Sequence, residues 1–294
     1  MEKIDQASLK KYTGLISEKE FECSYFGMSN AIDPNTIAFV DTEKFIDEIN
    51  NNLNITVVIC FNHLKEHCKN KITITCDDPR YYYYTFLNKI VESNYVKNPS
   101  VISPTAIIHP RAYICEHNVV IGNNTYVGPN ATILADVEIG NDCYVKSGAV
   151  IGSEGFELKR TSKGIVNVIH DGKVIIGNDV KIGANCAIHK GFSFRHTKIS
   201  DEVKIDDLVY IAHGVHIGKG CFLIGNSMIS GSTTLKENIW VGPGVTVSNG
   251  LTIEKNAYLT IGSVVTQNVG EGEKVTGNFA VPHAKFIQKL KNNL

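Results

Sequence analysis

From Ile199 onward, aliphatic residues recur every six positions without a break: Ile199, Ile205, Ile211, Ile217, Leu223, Ile229, Leu235, Val241, Val247, Ile253, Leu259 and Val265. An earlier block runs Ile121, Val127, Ile133, Ile139, Val145, Ile151, and a third runs Ile176, Ile182, Ile188. A helix repeats every 3.6 residues and a strand every two, so neither explains this spacing. Gly often follows the aliphatic, as in "IGNNTY", "IGNDCY", "IGNDVK" and "IGKGCF". The pattern predicts a parallel β-helix of hexapeptides. Each hexapeptide forms one short face, and three faces close a coil of about 18 residues. The aliphatic points inward, a small residue four later fills the corner, and Gly or Asn eases the turn. Coils then stack at strand spacing, about 4.8 Å.

The period fails twice. Between Ile151 and Ile176 lies "GSEGFELKRTSKGIVNVIHDGKVI", which carries Phe156, Lys159 and Arg160. Between Ile188 and Ile199 the spacing is eleven, one short of two repeats, through "HKGFSFRHTK". Loops on a rigid scaffold are where function concentrates. Residues 1–98 do not repeat and read as a small α/β domain. It has strands at 36–40 and 54–62 and a helix at 79–94 with an aromatic face. "VKNPSVISP" (96–104) reads as the linker, residues 99–278 as the β-helix domain, and 279–294 as a short amphipathic basic helix capping the last coil.

Composition narrows the function classes. The 294 residues carry a formal net charge of −1, which leaves no electrostatic footprint for nucleic acid. "MEKIDQASLKKYTG" has no apolar core of a signal peptide, and no run approaches a membrane span. The eight cysteines form no CxxC pair. Cys143, Cys186 and Cys221 each lie four residues after a repeat aliphatic, where a small apolar side chain is wanted. Reduced, structural thiols in a cytoplasmic protein are expected.

"IAHGVHIG" (211–218) holds two histidines. In the six-residue frame, His213 points outward, and so does His216, beside a corner. The residues stacked on His213 in the next two coils are Gly231 and Asn249, a poor ligand set for zinc. A general base beside a glycine N–H suits acyl transfer instead. The imidazole removes a proton from the attacking group, and the N–H stabilises the thioester oxyanion. A glycine also lets a carbonyl approach closely.

These segments resemble the UDP-3-O-acylglucosamine N-acyltransferase family of hexapeptide acyltransferases, over most of the chain. "IDDLVYIAHGVHIG" (205–218) is similar to its catalytic segment, which implies His213 as the base, Gly231 as the oxyanion donor and Asp206 as an orienting acid. "GSEGF" (152–156) is similar to a family G-x-D-G-F loop, with Glu154 for Asp, and implies Glu154 and Phe156 as substrate contacts. "IAFVDTEKF" (37–45) resembles the segment that stacks uracil, which implies Phe39 and Phe45 as base contacts. The resemblance further implies a left-handed β-helix, an exception to the right-handed crossover rule. It also implies a homotrimer with sites in clefts between subunits.

Departures from the family bear on the substrate. Its T-I-D-R-G appears here as "AIHKG" (187–191), which puts His189 and Lys190 at candidate substrate- and donor-binding positions. Its second active-site His, in N-G-H, has Gly250 in its place, next to Asn249 in "SNGLTI". The C-terminal tail is short. The expected reaction is N-acylation of a UDP- or dTDP-linked amino sugar, with acyl-CoA or acyl carrier protein as cosubstrate and no tightly bound cofactor. Lys190 and Arg195 are candidates for pairing with CoA phosphates. O-acylation of a sugar hydroxyl and a non-enzymatic assembly scaffold are the alternatives.

Overall fold

The computed structural model describes residues 1–193, 195–277 and 280–292, with the side chains of Phe286, Leu290 and Asn292 outside the description. The chain forms two compact units. One comprises residues 1–100, 154–173 and 190–197, and the other comprises 101–153, 174–189 and 198–294. Both interruptions of the six-residue period thus belong with the N-terminal residues rather than with the repeats.

In the repeat unit, successive hexapeptides supply three parallel sheets of eight, nine and eight strands. Each strand pairs with the one a full coil later. On the third face Ile188 is in register with Ile211, Ile211 with Ile229, and Ile229 with Val247. All four are buried, as are the repeat aliphatics of the other two faces between Ile121 and Val265. Burying each such side chain contributes about 1.5–3 kcal/mol, so the inward row is the core. Turns between faces need a left-handed residue. Asn124, Asn185, Asn226 and Asn238 supply it with φ of 54–60°, and Gly214 and Gly250 supply it elsewhere. Asn tolerates this region and Gly enters it freely.

The corner cysteines act as predicted small fillers. The Cys186 thiol donates to Asp206 O at 3.1 Å, and Cys221 to Lys236 O at 3.0 Å. Burial pushes both thiols up to about 11. All eight cysteines are free. The linker expected at 96–104 is shorter than the sequence suggests, because Val101–Ile102 is already the first strand of the β-helix. Its residues have only one neighbouring coil and stay exposed, which hides the start of the repeat from a burial-based pattern.

In the N-terminal unit, Tyr25–Phe26, Thr36–Val40, Ile55–Phe61 and Ile72–Cys76 form a four-stranded parallel sheet. α1 (Gln6–Thr13) starts at a capping box of Asp5 and Ser8 and stops at Gly14. α2 (Ile46–Asn51) is short. α3 (Pro79–Asn94) is capped by Asp78, and its Tyr83, Tyr84, Phe86, Leu87 and Ile90 are buried. The first interruption supplies an antiparallel hairpin, Leu158–Thr161 with Gly164–Asn167. In the repeat unit, α4 (His283–Asn292) is the expected C-terminal helix. The capping role assigned to 279–294 rests on side chains outside the described residues. Among the described residues no helix is long and apolar enough to cross a membrane.

Candidate active site

The third face of the β-helix ends, coil by coil, at one corner. Here the stacked strands Tyr210–Ile211, Met228–Ile229 and Thr246–Val247 turn toward the first face. Two residues past each inward aliphatic lie His213, Gly231 and Asn249. The stack is closed by backbone bonds, Ser232 N–H to His213 O and Gly250 N–H to Gly231 O, both 3.0 Å. The His213 ring lies against Gly231. A Cβ built there would meet His213 Nε2 at 2.7 Å and Nδ1 at 3.0 Å, with Cε1 closer still. Among the described residues, no acceptor takes the Gly231 N–H. An imidazole and an available N–H therefore stand side by side. His213 is half-buried, whereas His216 is exposed.

His189 sits one coil earlier on the same face. Its Nδ1 is 3.4 Å from the Tyr210 hydroxyl, and the two rings meet edge to face at 5.0 Å. Burial, and then the charge of His213, hold His189 below the usual imidazole value. Asn249 is exposed at the far end of the stack. Asp206 is not part of this group. It lies at the corner between the second and third faces, where its Oδ2 accepts from Gly225 N–H at 3.1 Å. In the chain, the two interruptions follow Ser153 and His189. Tyr210 was not singled out in the sequence. Its only signal was its place on the strand leading into His213.

Within the N-terminal unit, Phe39 and Phe45 line one pocket of about 470 Å³ with Met28, Asp41, Arg80 and Tyr84. Lys159 and Arg160 of the hairpin line it as well. The Phe39 ring packs on Tyr83 and Tyr84, with centroids 4.9 and 5.6 Å apart, so α3 fixes its plane. Phe45 is partly exposed at the rim. Arg80 pairs with Asp41 at 2.7 Å. The Arg80–Asp41 pair was invisible in sequence because the two residues are far apart in the chain.

The remaining candidates are scattered. Glu154 and Phe156 are exposed, Phe156 at 83%. The loop they belong to is pinned by buried His170, whose Nε2 accepts from Gly155 N–H at 3.1 Å while Nδ1 faces Val168 O at 3.1 Å. Lys190 is half-buried. Arg195 stacks over Phe192, 5.5 Å from the ring, and borders a smaller pocket with Asn30 and Asp33.

Comparison with known proteins speaks to the repeat unit. Residues 118–153 match the family model described as bacterial transferase hexapeptide (six repeats). Residues 173–195 and 214–267 match the hexapeptide repeat of succinyl-transferase. Both matches are to hexapeptide repeats, and together they cover less than half of the chain. It is similar to UDP-3-O-acylglucosamine N-acyltransferase 2 of Legionella pneumophila (strain Paris), 45% identical over 153 residues, which is 52% of this chain and 44% of the relative. The UDP-3-O-acylglucosamine N-acyltransferase of Maricaulis maris is 43% identical over the same shares. The chain thus spans less than half the length of these curated relatives. Among solved structures, a UDP-N-acetylglucosamine acyltransferase from Campylobacter jejuni superposes with a TM-score of 0.50 at 23% identity, covering 60% of this chain and 71% of that one. That likeness bears on fold alone, and the fold is a left-handed parallel β-helix.

Proposed function

We propose that this protein transfers an acyl group from a thioester to the amine of a UDP-linked amino sugar. The observation that carries the reading is the His213 imidazole lying against Gly231. The amine nitrogen attacks the thioester carbonyl carbon, and the carbonyl oxygen gains the charge. The Gly231 N–H donates to that oxyanion, and His213 takes the proton the amine sheds. The C–S bond then breaks, and the departing thiolate receives the proton. One base suffices, because no covalent enzyme intermediate is needed.

The acceptor is chosen from two supports. Relatives that match about half of this chain are named UDP-3-O-acylglucosamine N-acyltransferase. Phe39 and Phe45 in one pocket suit a planar base. The donor is acyl-CoA or acyl carrier protein, and the working assembly is a homotrimer. The test is a direct assay: UDP-amino sugars with one acyl group presented on CoA and on carrier protein, read as amide product. Amide formation with either donor supports the reading. Ester formation on a sugar hydroxyl would move it to the O-acyltransferases, and no product with any pair would remove it.

A further inference from the structure

We propose that His189, with the Tyr210 hydroxyl against it, is a positioning residue for the base: acyl transfer at His213 proceeds only while the His189 imidazole is uncharged. The inference rests on the reading of His213 as the base and adds a second group whose protonation governs it. The family pattern T-I-D-R-G has a carboxylate at this place, so the imidazole is a feature of this chain.

The repeat places the two rings together. Ala187–His189 and Tyr210–Ile211 are paired strands of the third face, with Ile188 in register with Ile211. His189 follows Ile188 by one residue and His213 follows Ile211 by two, so both leave the same edge of the face in neighbouring coils. Tyr210 stands on the row between Ala187 and Met228. Ala187 brings only a methyl group there. The Tyr210 hydroxyl lies 3.4 Å from His189 Nδ1, and the rings cross at 85°. All three side chains are half-buried.

The surroundings work against a charge on His189. Burial disfavours the imidazolium first, and the charge of His213 opposes it second. Of the strands paired with its own, Val150–Ser153 offers Ser153, which does not titrate, and Tyr210–Ile211 offers Tyr210. Burial raises the Tyr210 phenol, so it stays a neutral hydroxyl. A hydroxyl that donates to Nδ1 favours the ring without a proton there. His213 is the titratable group in the turn that follows, and Lys190 follows His189 in the chain. During acyl transfer His213 takes the proton of the amine and becomes a cation. A cation already present on His189 opposes that step, because like charges in one site disfavour each other. The two imidazoles therefore titrate as a pair, and the form with both neutral is the active one.

The test is the acid limb of kcat/KM for amide formation from a UDP-amino sugar, with acyl-CoA or acyl carrier protein as donor. Wild type is compared with His189→Gln, which keeps a polar side chain that cannot charge, and with Tyr210→Phe. Protonation of His213 and of the substrate amine enters all three profiles, so the differences between them are the readout. Below the His189 midpoint, wild type should lose about tenfold more per pH unit than His189→Gln, the mark of one additional inactivating proton. Tyr210→Phe should move the steep part of the limb to higher pH. Melting curves at each pH keep the comparison to folded protein. Parallel limbs in wild type and His189→Gln would overturn the role of His189 and leave His213 as the base. An unmoved or lowered limb in Tyr210→Phe would overturn the part given to the hydroxyl. A His213→Ala variant that keeps the wild-type profile would remove the base reading, and this inference with it.

Discussion

The His213 imidazole occupies the space that a side chain at residue 231 would need. A Cβ on Gly231 would lie 2.7 Å from His213 Nε2. No positive φ is involved, so this glycine is required by close approach and not by backbone conformation. The sequence alone suggested room for a thioester carbonyl; the structure shows that the imidazole uses that room first. Gly231→Ala should therefore displace the base. Acyl transfer should fall by about 10²- to 10⁴-fold, the usual worth of a general base, while UDP affinity stays within a few-fold. Paired turnover and binding assays check this, and equal loss of both would indicate a distorted coil instead.

Phe45 is the cleaner probe of base stacking, because Phe39 also packs on Tyr83 and Tyr84. Stacking on an aromatic ring is worth about 1–3 kcal/mol per base in single-strand nucleic-acid sites. Phe45→Ala should raise the uridine dissociation constant by roughly 5- to 150-fold and leave thermal stability near wild type. Unchanged affinity would detach this pocket from nucleotide recognition.

His189 gives the fold a pH dependence. Burial first, and the charge of His213 second, lower its proton affinity in the folded state. The unfolded chain then binds the proton more readily. The resulting stability is fully present above the unfolded value near about 6.5 and is lost as pH falls toward the lower folded value. His189→Gln should flatten this part of the curve. Melting temperatures of both proteins across mildly acidic and neutral pH decide it, and parallel curves would contradict the assignment.

Asp78 ties the hairpin to α3. Burial pushes its carboxyl up, but hydrogen bonds from Tyr81 N–H and from Ser162 outweigh that and leave it below the usual range. Its contribution is present above the unfolded value near about 3.9 and is lost as pH falls through the folded value. Asp78→Ala removes a helix cap as well as the tie, and should cost about 1–2 kcal/mol in urea unfolding. It should also loosen the hairpin, which Ser162 ties to the α3 cap. Unchanged urea stability in this variant would show that the hairpin is held by other contacts.

The β-helix was legible because its inward row is a strict period, and each hit, from Ile121 to Val265, is a buried side chain. The stacking of Gly231 on His213 followed from the same arithmetic, since three six-residue faces return the chain to one corner. What the sequence hid depends on contacts with no period. The Ser162–Asp78 bond joins residues 84 apart, so nothing local marks the interruption at 154–173 as part of the N-terminal unit. The separation of Asp206 from His213 within the coil was hidden for a related reason. Asp206 lies seven residues earlier, one face and one corner away, and proximity in sequence does not survive the turn.

The central claim is that His213 is the base for acyl transfer to an amine. Its most direct test is kcat/KM for amide formation on a UDP-amino sugar by wild type and His213→Ala, with UDP affinity and melting temperature measured on the same preparations. The account expects a loss of about two to four orders of magnitude, with binding and stability near wild type, because the imidazole is half-buried at an outer corner and not part of the core. A variant that keeps most of its activity would contradict it.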